Sequence, residues 1–254
     1  MIHMHSKRFL KEYEIHYYET NSMQEATPIT LLNYLEDSAI SNSASVGYGV
    51  KELMEAGAGW VLYRWFLKIN RYPKLGEKIS VQTWPSSFER FYGNRQFLAS
   101  DSEGKVIAKA ASIWIFFNIQ KRKPMRVPNE LINAYNVDET EVLKEPFSSM
   151  DFDFKPNVAK DFSVRRSDID TNNHVNNKRY IDWILETLPQ HIYENFKMKS
   201  LDIQYKKEAG IDSDIQSGCA NESEHSQSLS LVHRMWDKKS GLELAAARTI
   251  WQKK

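Results

Sequence analysis

Residues 167–189 read Ser167-Asp168-Ile169-Asp170-Thr171-Asn172-Asn173-His174-Val175-Asn176-Asn177-Lys178-Arg179-Tyr180-Ile181-Asp182-Trp183-Ile184-Leu185-Glu186-Thr187-Leu188-Pro189. The stretch changes character near its middle. Tyr180, Ile184 and Leu188 recur at helical spacing with Trp183 and Leu185 beside them, and Pro189 stops the pattern, so a helix over Asn177–Thr187 is expected. A strand over 161–166 precedes it. Four more strands follow, over 201–208, 214–220, 227–236 and 242–251.

The same order occurs earlier in the chain. Phe9 to Tyr18 reads as a strand, and Thr27-Pro28 opens a helix through Leu31, Leu32, Leu35 and Ala39, with a capping threonine and a proline at the first helical position. Strands over 60–70, 79–84, 91–99 and 105–117 come next. The last hairpin turn, Asp101-Ser102-Glu103-Gly104, has its counterpart in Asp237–Gly241; Gly104 pairs with Gly241 and Trp114 with Trp251, both 137 apart (241 − 104 and 251 − 114). An internal duplication accounts for the agreement. One helix followed by antiparallel strands, twice, implies an α+β chain in which each sheet wraps around a mostly apolar helix. The expected division is 1–120, a linker over 121–158 with a short helix near 129–135, and 159–254.

Asp170, Asn172 and His174 are spaced two apart, so in an extended segment a carboxylate, an amide and an imidazole project to one face. They precede a helix N-terminus, where unpaired N–H groups and the positive dipole end favour a developing oxyanion; Val175, Asn176 and Asn177 are the candidate donors. A calcium loop is the competing reading, because Asp168-x-Asp170-x-Asn172 imitates the start of an EF-hand. It fails at Asn173, where glycine is required, and at Arg179, where a bidentate glutamate belongs. Simple capping would employ Asn176 or Asn177 but leaves His174 without a purpose. The residues alone leave capping and catalysis evenly matched.

The motif Asp170-x-Asn172-x-His174-Val175-Asn176-Asn177 running into a Tyr- and Trp-containing helix resembles that of the plant and bacterial acyl-acyl-carrier-protein thioesterases. Leu201-Asp202-Ile203-Gln204-Tyr205-Lys206-Lys207-Glu208 is similar to that family's strand ending in a functional Glu. Trp60 to Asn70, Arg71-Tyr72-Pro73, Gly76 and Ala111-Ser112-Ile113-Trp114 resemble its first half. The resemblance implies a tandem hotdog fold and hydrolysis of fatty acyl-carrier thioesters to free fatty acid and carrier, within fatty acid biosynthesis. It also implies a catalytic set of Asp170, Asn172, His174 and Glu208. Either Glu208 or Asp170 would activate water. Some relatives carry a cysteine directly after this Glu; here it is Ala209, so no thiol is available there and the attacking group must be water or a carboxylate. The first half lacks an Asp-x-Asn-x-His, having Met23-Gln24-Glu25-Ala26-Thr27 before its helix. It is expected to supply the acyl pocket, with Leu32, Leu35 and Trp65 as candidate walls.

With 34 basic and 33 acidic residues, the formal charge of +1 gives no drive toward nucleic acid or an anionic membrane. An acidic carrier protein, the partner the resemblance implies, would need a local basic patch; Arg165, Arg166, Lys206 and Lys207 are the candidates. The single cysteine, Cys219, excludes an intramolecular disulfide framework, reads as a small core residue, and fits a reducing cytoplasm. No Gly-x-Ser-x-Gly or His-Glu-x-x-His occurs, and no metal or cofactor is called for. The most apolar run, 110–117, is far below the roughly 20 residues a membrane helix needs. Met1 to Leu10 has no apolar stretch suited to export, and a chain starting so near its first strand is expected to be a bacterial form without a plastid leader. A homodimer is a further expectation. The alternatives are a thioesterase acting on acyl-coenzyme A and a non-catalytic hotdog protein that binds acyl thioesters.

Overall fold

The computed structural model describes residues 8–143, 147, 149–151, 153–170 and 172–254. Thr171 of the motif, residues 1–7 of the N-terminal stretch and 144–146, 148 and 152 of the expected linker lie outside the described residues. The chain divides into two compact units, residues 1–63 with 67–145 and residues 64–66 with 146–254.

The first unit contains β1 (Phe9–Glu14), α1 (Pro28–Ser45), α2 (Val50–Glu55), β2 (Ala58–Ile69), β3 (Lys78–Glu89), β4 (Tyr92–Asp101), β5 (Val106–Asn118), a two-residue β6 (Lys123–Pro124) and α3 (Asn129–Ala134). Its strands lie in the order β1-β3-β4-β5-β2, with β6 paired to β5. Thr27 caps α1 by accepting from the Thr30 N–H at 3.1 Å, and Pro28 takes the first helical position, as the capping pattern predicts. Leu31, Leu32, Leu35 and Ala39 then fall on one buried face of α1, which packs on β3 and β1.

The second unit contains β7 (Val158–Ser163), α4 (Asn177–Thr187), α5 (Gln190–Asn195), β8 (Phe196–Tyr205), β9 (Asp214–His225), β10 (Ser228–Asp237) and β11 (Glu243–Lys253). Its order, β7-β9-β10-β11-β8, is that of the first unit strand for strand. α4 buries Tyr180, Ile181, Trp183 and Ile184 against β9 and β7.

The repetition extends to single hydrogen bonds. Trp114 Nε1 donates to Ser112 Oγ at 2.7 Å, and Trp251 Nε1 donates to Thr249 Oγ1 at 2.7 Å. Gly104 and Gly241 both take left-handed backbone, φ 80° and 71°, in their hairpin turns, which a side chain would strain.

Two expectations change. Residues 121–143 do not simply cross the surface: Val127, Leu131 and Tyr135 are buried with Leu53, Ala58 and Phe116 in a cluster of the first unit, and Leu143 is buried too. The apolar residues Val127, Leu131 and Tyr135, spaced four apart across α3 and its flanks, are the signal for this in the sequence. The strand expected over 201–208 begins at Phe196 and ends at Tyr205, because the N–H groups of Lys206 and Lys207 both turn to the Leu244 carbonyl. Glu208 therefore stands in the loop beyond the strand.

Candidate active site

The polar motif is a closed turn rather than an extended segment. Asp170 Oδ1 accepts the N–H groups of Asn172 at 2.8 Å and His174 at 3.3 Å. The Asp170 N–H donates to the His174 carbonyl at 2.8 Å, the Asn173 N–H to the Asp170 carbonyl at 3.1 Å, and Asn173 sits at φ 61°. A bridge between Ile169 and Val175 closes the neck. The residue types explain this: a carboxylate can bond the backbone two residues on, and asparagine tolerates left-handed backbone. Asn172 and Asn173 are exposed at the tip, and Val175 is buried at the base.

His174 and Glu208 meet, with His174 Nδ1 at 3.4 Å from Glu208 Oε2. Their side chains are 33% and 50% exposed, so an imidazole and a carboxylate face one another where water and a thioester can reach them. No strand ladder sets this approach. The Val175 N–H donates to the Ala209 carbonyl at 2.8 Å, which ties the base of the turn to the residue after Glu208. Beneath them lies the buried Tyr180 side chain of α4, whose hydroxyl accepts the Ala209 N–H at 3.1 Å. Burial pushes the Tyr180 phenol well above its ordinary range, and the charges of Glu208 and Asp170 push the same way.

The candidate oxyanion donors divide. The Val175 N–H is taken by Ala209 and the Asn176 N–H by the Asp168 carbonyl at 2.8 Å, so neither is free to meet a substrate oxygen. Asn176 is instead the N-cap of α4, its side chain accepting from the Lys178 N–H at 3.0 Å. Among the described residues no acceptor meets the Asn177 N–H, and the donor set narrows to that group at the helix start. Both competing acceptors are distant along the sequence and are brought near only by the fold, so the spacing of the motif does not reveal them.

Asp168 anchors the approach to the turn. Its carboxylate is buried and accepts the Arg165 backbone N–H at 2.8 Å and the Arg165 guanidinium at 2.9 Å, with Arg179 Nε 3.3 Å away. Burial alone would raise the Asp168 carboxyl, but bonding to Arg165 and the charges of Arg165 and Arg179 hold it below the usual carboxylate range.

Of the four candidate docking residues, Arg165 is thus bound to Asp168 while still 66% exposed. Arg166 and Lys207 are exposed and, among the described residues, have no ion-pair partner. Lys206 is unlike them: it is only 23% exposed and lies 3.3 Å from Glu243 and 3.7 Å from Asp151, so its charge is largely balanced within the unit. Leu32, Leu35 and Trp65 are 1%, 2% and 2% exposed and packed in the interior. Cys219 is buried on β9, opposite His233 of β10, and burial pushes its thiol up to about 12. It holds no place in the turn. No helix among the described residues is long and apolar enough to cross a membrane.

The loop that carries the set is present in the first unit without its chemistry. Asn21 Oδ1 accepts from Met23 and Glu25 at 2.9 and 3.2 Å, Gln24 takes φ 58°, and a bridge joins Thr20 to Ala26. Asp170, Asn172 and His174 therefore correspond to Asn21, Met23 and Glu25.

Comparison with known proteins gives matches along most of the chain. Residues 6–135 match the acyl-ACP thioesterase N-terminal domain and residues 153–253 the acyl-ACP thioesterase C-terminal domain. A chloroplastic palmitoyl-acyl carrier protein thioesterase of Gossypium hirsutum is 30% identical over 97% of this chain. The chain spans 64% of that relative's length. The crystal structure of an acyl-ACP thioesterase from Bacteroides thetaiotaomicron superposes with a TM-score of 0.85 at 26% identity, covering 96% of this chain and 97% of that one. The 12:0-ACP thioesterase of Umbellularia californica shares the fold, with a TM-score of 0.86 at 24% identity over 97% of this chain and 94% of that one. The unit of a helix packed on antiparallel strands, present twice, is the tandem hotdog arrangement expected from the sequence, although the strands are joined in one sheet rather than the two expected, and the chain belongs to the acyl-ACP thioesterase family.

Proposed function

We propose that the protein hydrolyses fatty acyl thioesters of acyl carrier protein, releasing free fatty acid and the carrier thiol. The observation that carries this reading is the approach of His174 Nδ1 to Glu208 Oε2 at 3.4 Å, beside a helix start whose Asn177 N–H meets no acceptor among the described residues. A carboxylate paired with an imidazole in a solvent-reached site can take the proton of an attacking water. Glu208 is assigned that step, with His174 orienting the carboxylate and passing the proton toward the departing thiolate. Asn172, at the exposed tip of the turn, orients the water. Asp170 holds the turn and adds a second negative charge that favours removal of the proton. The Asn177 N–H and the positive end of α4 receive the oxyanion.

The thiol chemistry open to some relatives has no residue here, since Ala209 follows Glu208 and Cys219 is buried. A single reduced thiol fits a cytoplasmic setting. Leu32 and Leu35 of the first unit remain the proposed apolar walls for the acyl chain, whereas Trp65, expected beside them, falls in the second unit; Arg166 and Lys207, with Arg165, are the proposed contacts for an acidic carrier.

Purified protein should be offered a length series of acyl-carrier thioesters and the matching acyl-coenzyme A esters. Turnover of carrier esters with higher kcat/KM than the coenzyme A esters is expected. Equal values at all salt concentrations would favour a coenzyme A thioesterase, and binding without turnover a non-catalytic acyl-binding protein.

A further inference from the structure

Tyr180 is a buried polar side chain that the proposed chemistry leaves unused, and its hydroxyl grips the backbone on both sides of Glu208. It accepts the N–H of Ala209 at 3.1 Å and approaches the Lys207 carbonyl at 3.5 Å. The first group belongs to the peptide unit that follows Glu208, the second to the unit that precedes it. The ring itself is 1% exposed and stands edge-on to Tyr205, whose hydroxyl donates to the Asn177 carbonyl at 3.1 Å. Glu208 lies past the end of β8 and has no ladder to fix it, so its direction depends on such tethers.

The first unit shows which tethers the fold itself requires. There the N–H groups of Asn70 and Arg71 both donate to the Ile107 carbonyl, as those of Lys206 and Lys207 do to Leu244, so Tyr72 stands where Glu208 stands and Pro73 where Ala209 stands. The Ala26 N–H donates to the Pro73 carbonyl at 2.8 Å, matching Val175 to Ala209 at 2.8 Å. That bond is common to both units. The hydroxyl tether is not: Pro73 has no N–H to give, and the residue four past the α1 cap, in the place of Tyr180, is Leu31. The junction therefore forms without it, and the extra bond occurs only beside the His174–Glu208 pair.

We infer that Tyr180 is a positioning residue, whose hydroxyl holds the backbone of Glu208 so that the carboxylate points at His174. This rests on Glu208 being the carboxylate that activates water. The hydroxyl does not itself exchange protons with substrate, since it is buried and its phenol is pushed well out of the range of ionisation at neutral pH.

The test compares Tyr180→Phe, Ala209→Pro, Glu208→Ala and the double variant Tyr180→Phe/Glu208→Ala, reading kcat, KM and Tm with an acyl-carrier thioester. Ala209→Pro removes the bond from the backbone side and imitates Pro73, which provides a second route should Tyr180→Phe fold poorly. Tyr180→Phe and Ala209→Pro should each lower kcat about tenfold or more, with KM within about twofold, since small displacements of a catalytic group are costly. In the Glu208→Ala background, Tyr180→Phe should cost nothing further, because the two act as one unit. Unimpaired Tyr180→Phe beside an impaired Glu208→Ala would overturn the inference alone, as would an equal loss from Tyr180→Phe in both backgrounds. A near-normal Glu208→Ala enzyme would overturn the reading of the site and this inference with it.

Discussion

Asp170 and Asn21 hold the same turn in the two units, each with Oδ1 accepting the N–H groups two and four residues further along. A neutral amide thus suffices for the turn. The charge of Asp170 is an addition confined to the unit that also carries Asn172, His174 and Glu208. Asp170→Asn should therefore fold as the parent does, with unchanged Tm, and lower kcat at least about a hundredfold, the usual scale for a charged group acting on proton transfer. Near-normal turnover by the folded variant would reduce Asp170 to a turn residue.

Much of this site was legible in the chain before the fold was known, but unevenly. The helix over 177–187 followed from the spacing of Tyr180 and Ile184, and the single-unit placement of the polar set followed from Met23 and Glu25 standing in the duplicated loop. The two-apart spacing of Asp170, Asn172 and His174 imitates a strand and conceals the turn, although Asn172-Asn173 after an aspartate is itself turn chemistry. What could not be read were pairings made across the fold. Ala209 and Asp168 consume the N–H groups of Val175 and Asn176, Glu243 balances Lys206, and Tyr180 reaches Ala209; no local pattern encodes any of these. Leu131 of α3 and Tyr135 at its C-cap carry an apolar signal too short to set against the surrounding charges and prolines.

Catalysis should be independent of thiols. Cys219 is buried, and burial pushes its thiol up to about 12, so little thiolate exists at neutral pH. Cys219→Ser should retain kcat while losing some Tm, because a hydroxyl is less readily buried there. Inactivity of the folded variant, or inactivation by alkylating Cys219 without unfolding, would require a different nucleophile.

Asp168 should make the protein acid-sensitive. Its folded carboxyl is held below the unfolded value of about 3.9, so the stabilisation is present above that pH and is lost as pH falls through the folded value. Asp168→Asn should lower Tm at neutral pH, and the gap to the parent should narrow as the pH is taken down through the unfolded value of about 3.9 and below. A gap that stays constant over that range would show that the charge of Asp168 contributes nothing.

Carrier recognition should be electrostatic and local, because the whole chain is nearly neutral. Reversing the charges of Arg166 and Lys207, both exposed and without ion-pair partners among the described residues, should raise KM for the carrier thioester with little change in kcat. The effect should shrink as salt rises, since such attraction is screened over about 8 Å at physiological ionic strength. Lys206, already beside Glu243, should matter less. Unaltered KM at low salt in the reversed variant would place the docking surface elsewhere.

The pairing of His174 with Glu208 is tested most directly by the initial rate of fatty acid release from an acyl-carrier thioester, measured for the parent and for Glu208→Gln of unchanged Tm. Glu208→Gln keeps the shape of the side chain and removes its capacity to take a proton. The parent should release one fatty acid per carrier thiol freed, and Glu208→Gln should be slower by at least about a hundredfold. Absence of turnover by the parent, or a near-parental rate in Glu208→Gln, would contradict the account.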